Sequence, residues 1–205
     1  MKGLLQKDLY MILRYGRMLL ALSVMFTVAG ALSNGENFFF LFYPVVLAGV
    51  LPVTLQSYEE RFGWDKYCDT LPLSRKTVVS ARYIMTLLCF LALYGLTLAV
   101  QSAVLIPQGR GQDALDLAAL LPIFGLLAPS VMLPLTLRFG VEKARIAYYA
   151  IIGVVVVLGL MSMEQSSSLG EQIGSLGLMA SLIVTVALFI GSWLLSIRLY
   201  EKREL

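Results

Sequence analysis

The chain has 205 residues, 59% of them hydrophobic and only 14% charged, with no histidine and a net charge of +3. Soluble domains carry roughly a quarter charged residues, so this composition excludes water as the main solvent of the chain. The small basic excess fits contact with anionic membrane lipids, and no nucleic-acid partner is expected.

The first predicted element is an amphipathic helix over 1–17. Lys2, Gln6, Tyr10, Arg14 and Arg17 fall on one face at helical spacing, and Leu4, Leu5, Leu9, Ile12 and Leu13 on the other. Such a helix lies at the headgroup boundary as an elbow ahead of the first span. Arg14 and Arg17 interrupt its apolar run and no small-residue cleavage site follows, so a signal peptide is not expected.

Six charge-free windows come next, at 18–35, 37–58, 83–109, 117–137, 146–163 and 172–197. Crossing the hydrocarbon core takes about 20 apolar residues at ~1.5 Å rise each. The expectation is an all-α polytopic membrane protein with six transmembrane helices, at about 18–35, 38–58, 77–107, 117–137, 146–163 and 174–197, in one domain spanning 1–205.

The basic residues between the windows alternate in side. Lys2, Lys7, Arg14 and Arg17 precede the first span, and Arg61, Lys66, Arg75, Lys76 and Arg82 join the second to the third. Arg138, Lys143 and Arg145 join the fourth to the fifth, and Arg198, Lys202 and Arg203 follow the sixth. Only Arg110 falls on the other side, which by the positive-inside rule places both termini in the cytoplasm.

The outer linkers Ser33–Asn37 and Pro107–Asp116 are too short for an ectodomain, while Ser162–Gly174 has room for a small helix. Pro44 and Pro52 in the second span, and Pro122, Pro129 and Pro134 in the fourth, each remove a backbone donor and favour kinks.

Chemistry is limited by what is missing. Cys68 and Cys89 fall in different compartments, so neither a disulfide nor a metal site is expected. No phosphate-binding loop motif is present, which leaves the chain unable to hydrolyse ATP and makes it a non-catalytic membrane protein. No Asp, Glu, Lys or Arg lies within the windows, against the alternative of an ion-coupled secondary transporter. A non-transporting membrane scaffold or immunity protein is the other alternative. Thr54, Tyr94, Gln101 and Ser102 are the candidates for a substrate path, although each can equally hydrogen-bond between helices.

The longest inner linker, Tyr58 to Lys76, has the most local detail. Gly63 breaks the helix continuing from the second span, Trp64 to Thr70 fit a two-turn helix, Pro72 ends it, and Ser74 suits an N-cap for the third span. Trp64, Tyr67 and Cys68 stand at i, i+3 and i+4, a face suited either to a groove on another protein or to rest at headgroup level.

The run Glu59-Glu60-Arg61-Phe62-Gly63-Trp64-Asp65-Lys66-Tyr67, followed by Leu71-Pro72-Leu73-Ser74-Arg75-Lys76, resembles the signature of small bacterial ABC type-2 permeases. That family includes the membrane subunits of phenol-soluble-modulin exporters, and the opening Met1 to Tyr10 is also similar to its usual start. The resemblance implies a coupling helix that docks on a separate ABC ATPase through Glu59, Glu60, Arg61, Trp64, Asp65, Tyr67 and Cys68. It further implies an N-terminal elbow and a short outer helix between spans five and six. Two ATPase copies would hold ATP and magnesium, with no cofactor in this chain, and a second permease copy, identical or related, would complete the transporter. The cargo would be an amphipathic peptide, drug or lipid-like molecule leaving across a bacterial plasma membrane.

Overall fold

The computed structural model describes residues 2–33, 38–70, 74–150 and 175–201, and all regular structure among them is helical. In chain order the helices are α1 (Lys2–Tyr15), α2 (Arg17–Leu32), α3 (Phe38–Arg61), α4 (Trp64–Thr70), α5 (Arg75–Leu105), α6 (Gly111–Phe139), α7 (residues 141–150) and α8 (Ser175–Glu201).

Among the described residues, four segments are long and apolar enough to cross a membrane: Phe39–Arg61, Arg75–Leu105, Ala114–Phe139 and Ala180–Tyr200. The chain is therefore a multi-pass membrane protein. They correspond to the second, third, fourth and sixth predicted windows. The first window behaves differently, because α2 has only 16 residues and ends at Leu32. It reaches spanning length only together with α1, from which it is bent by 72°. The bend depends on Gly16, where a Cβ would stand 2.7 Å from the Ile12 carbonyl oxygen.

The fifth window begins inside α7, and the rest of it lies outside the described residues, as do the expected small helix at Ser162–Gly174, Pro72 and residues 202–205. The linker expected at Pro107–Asp116 is shorter than that, because α6 already starts at Gly111. A turn with Gly109 at φ +76 reverses the chain into α6.

Packing brings α3, α5, α6 and α8 around one apolar core containing Val45, Val79, Phe90, Leu121, Leu133 and Phe189. At its centre α3 and α6 touch backbone to backbone: a Cβ on Gly49 would come within 2.4 Å of the Gly125 carbonyl oxygen. One on Gly125 would meet Phe90 Cε2 and Val45 Cγ1 at 2.5 Å, so only glycine fits this crossing. A second cluster, Ile12, Leu51, Leu55 and Met85, fastens α1 against α3 and α5. The bundle thus has a basic end, where α1, α4 and the α6–α7 corner gather, and a far end at the α5–α6 turn.

Candidate functional site

At the basic end, α3 runs on through Glu59, Glu60 and Arg61 before the chain turns. Gly63 adopts φ +67, a left-handed conformation that L side chains rarely take, and α4 starts at the next residue. The Tyr67 N–H donates to the Gly63 carbonyl at 3.3 Å, closing the first turn of α4. Ser74 caps α5 as expected, its hydroxyl accepting the Thr77 N–H at 3.3 Å. The helix boundaries Trp64–Thr70 match those read from the linker.

A network of charges reaches α4 through the Trp64 ring. Glu59, only 7% exposed, accepts from Lys7 through one oxygen and from Arg82 Nη2 at 3.2 Å through the other. Lys7 also lies 3.0 Å from Asp8 and 4.0 Å from the centroid of the Trp64 ring. One lysine therefore joins α1 to α3 and to α4, and Glu59 extends the joint to α5. Two carboxylates and two cations balance, as a buried cluster requires. Burial holds the Asp8 carboxyl above the usual aspartate range against the pull of Lys7.

The expected docking residues divide by position. Tyr67 is 57% exposed and Arg61 is exposed, as is neighbouring Phe62. Trp64 is half-buried, tilted against Tyr67 with centroids 5.6 Å apart and covered by Lys7. Cys68 is buried, so it faces the protein and not the surface shared by Tyr67. Glu59 is inside the charge network. Glu60 caps α7, its two carboxylate oxygens accepting the Val141 N–H at 3.0 and 3.2 Å. Asp65 is part of α4, and its side chain lies outside what is described.

The four path candidates also divide. The Thr54 hydroxyl donates to the Val50 carbonyl of its own helix at 3.2 Å. Tyr94 donates to the Ala118 carbonyl at 2.8 Å, tying α5 to α6. Gln101 and Ser102 line a cleft of about 520 Å³ between α5 and the start of α6, which Ala118 lines as well. Tyr94, Gln101 and Ser102 are thereby gathered at the far end, and Thr54 stands apart. Gln101 is 1% exposed, and among the described residues neither atom of its amide has a hydrogen-bond partner. Its nitrogen lies 2.7 Å from where a Cβ on Gly30 would stand, so glycine there makes room for the amide.

Sequence reasoning passed over the partners that matter most at the basic end. Lys7 and Asp8 were assigned to neither face of the first helix, and Arg82 was counted only as a topology signal. Tyr83 was missed as well. Its buried hydroxyl sits 2.8 Å from Ser192 Oγ and 2.7 Å from Ser196 Oγ, and its ring stacks on Trp193 at 5.6 Å. Trp193 in turn donates to Ser80 at 3.3 Å, so α5 and α8 are hydrogen-bonded side by side. The i, i+4 spacing of Ser192 and Ser196 within an apolar helix was the available signal.

Set against known families, residues 3–201 match the family model described as ABC-2 family transporter protein. No curated protein and no solved structure matches the chain.

Proposed function

The chain belongs to the ABC-2 family of transporter proteins, and from that premise we propose that it is the permease subunit of an exporter driven by a separate ABC ATPase. Family membership implies an ATPase partner in general. The finer reading is that the ATPase docks on α4 and that six spans carry both termini into the cytoplasm of a bacterial plasma membrane. ATP and magnesium belong to the ATPase chain. Two permease copies, identical or related, pair with two ATPases to enclose the path, and the cargo is an amphipathic peptide, drug or lipid-like molecule.

The single observation that carries the docking assignment is the way α4 is mounted. A seven-residue helix is too short to hold its shape alone. Here it presents Tyr67 outward while Trp64 rests under Lys7, whose ion pair with Glu59 and that of Glu59 with Arg82 lead into three further helices. A push on α4 is therefore transmitted to α1, α3 and α5 together, which suits a rigid-body response to ATPase closure.

Co-purification tests this reading. An ABC ATPase, identified by mass spectrometry from its phosphate-binding loop, is expected to come down with the wild type and to be lost with Trp64→Ala plus Tyr67→Ala. Full retention in the double variant would refute docking through α4.

A further inference from the structure

A second recess opens at the basic end, beside α4 and separate from its Tyr67 face. It measures about 360 Å³ and lies between the last turn of α3 and the α6–α7 corner. Its shape is fixed by the cap already described: Gly140 turns at φ +83, and Glu60 holds the Val141 N–H through both carboxylate oxygens. Arg61, Lys143 and Arg145 line it, and among the described residues none of the three has an ion pair or hydrogen bond. The acids at the recess are Glu60, whose oxygens are taken up by α7, and Glu142. Phe139, 50% exposed, forms part of the wall, and Phe62, 72% exposed, follows Arg61.

We infer that this recess is the second half of the ATPase-docking surface and receives an acidic protrusion of the ATPase subunit. The inference rests on the docking proposal for α4. Three points favour this occupant. Cations with no partner among the described residues, beside exposed aromatic rings, have the composition of interface anchors. Arg61 makes the surface continuous, since it lines the recess and stands in the chain directly between the Glu60 cap and the turn into α4. The carboxylates of Glu60 and Glu142 disfavour a lipid phosphate, whereas a protein surface can offer groups of both signs. The consequence is mechanical: one ATPase would grip α1, α3 and α5 through α4, and α6 and α7 through the corner.

The test uses full-length permease in nanodiscs of zwitterionic lipid and the ATPase recovered with the wild type. Binding is measured at low and high salt for Lys143→Glu plus Arg145→Glu, with Lys143→Gln plus Arg145→Gln as the milder pair and Arg110→Glu at the far end as control. The charge reversal is expected to weaken binding by about tenfold and to flatten its salt dependence, as loss of steering charges does. The glutamine pair falls between that and wild type, and Arg110→Glu changes nothing. Wild-type affinity and salt dependence in the reversed variant, with Trp64→Ala plus Tyr67→Ala still abolishing binding, would overturn the recess and leave α4 standing. Full binding by that tryptophan–tyrosine variant would overturn both. A reversed variant that loses only its preference for anionic over zwitterionic vesicles, with ATPase binding intact, would make the recess a lipid site and also overturn the inference.

Discussion

The two ends of the bundle are held by different forces. At the basic end, side chains cross between helices as hydrogen bonds and ion pairs. Lys7, Glu59 and Arg82 join α1, α3 and α5, Thr136 donates to Gln56 Oε1 at 3.0 Å between α6 and α3, and Tyr83 with Ser192 and Ser196 joins α5 to α8. At the far end aromatic contacts predominate, beside the bond from the Tyr94 hydroxyl to the Ala118 carbonyl described above. Phe26 meets Tyr43 at 4.7 Å, Phe39 stacks on Tyr43 at 5.0 Å, and Phe42 meets Phe124 edge-on at 4.9 Å. Hydrogen bonds have direction and break one by one, whereas aromatic contacts tolerate sliding. The difference suits a machine whose driven end moves as a block and whose other end rearranges, with the Gly49–Gly125 crossing between them.

The sharpest way to break the block is Glu59→Gln, which leaves Lys7 and Arg82 without their shared anion and is expected to cost about 3 kcal/mol of stability. Cys68 is buried and Cys89 partly buried, so the rise in labelling by a thiol-reactive dye during heating reads the loss directly. Gly49→Ala should cost somewhat less, about 2 kcal/mol, by prising α3 from α6 at the crossing. Tyr83→Phe removes one hydroxyl from the α5–α8 joint and is expected to cost about 1 kcal/mol, in keeping with the modest worth of interhelical hydrogen bonds in membranes.

At the far end the sign reverses. Gln101→Leu replaces a buried amide that has no partner among the described residues and should raise stability by about 1 kcal/mol. If Gln101 serves the substrate path, transport in vesicles falls in the same variant, which separates a functional amide from a merely tolerated one.

The smallest effect belongs to Asp8. Its raised carboxyl means that the folded chain keeps a proton which the unfolded chain has already released. This contribution therefore weakens as pH rises from the ordinary aspartate value of 3.8 through the raised one, and is flat above that. Asp8→Asn removes this slope. Melting curves between about pH 4 and 8 should show the variant no less stable than wild type at neutral pH, with its advantage shrinking on acidification.

How much of this was legible in the sequence follows from the range of the forces involved. The helices α3, α5, α6 and α8 could be placed because an uncharged run long enough to span hydrocarbon needs no partner to be recognised. The α4 boundaries followed from Gly63 and Pro72, and the start of α5 from Ser74, whose backbone preferences are local. The first span was harder, since its length depends on how α1 and α2 bend at Gly16, and that depends on packing against α5. The site residues were the least legible. Whether Glu59 meets a partner subunit or Lys7 and Arg82 is decided by contacts between residues 23 to 52 positions apart. No local spacing records those. The cap that Glu60 provides to α7 is of the same kind, separated by 81 positions.

The central claim, that the basic end and α4 in particular face the ATPase, is tested most directly by photocrosslinking in native membranes. A photoreactive phenylalanine analogue in place of Tyr67 should form an adduct with the ABC ATPase, and the same analogue in place of Leu115, 64% exposed at the far end, should form none. An ATPase adduct from position 115 with none from position 67 would contradict the account.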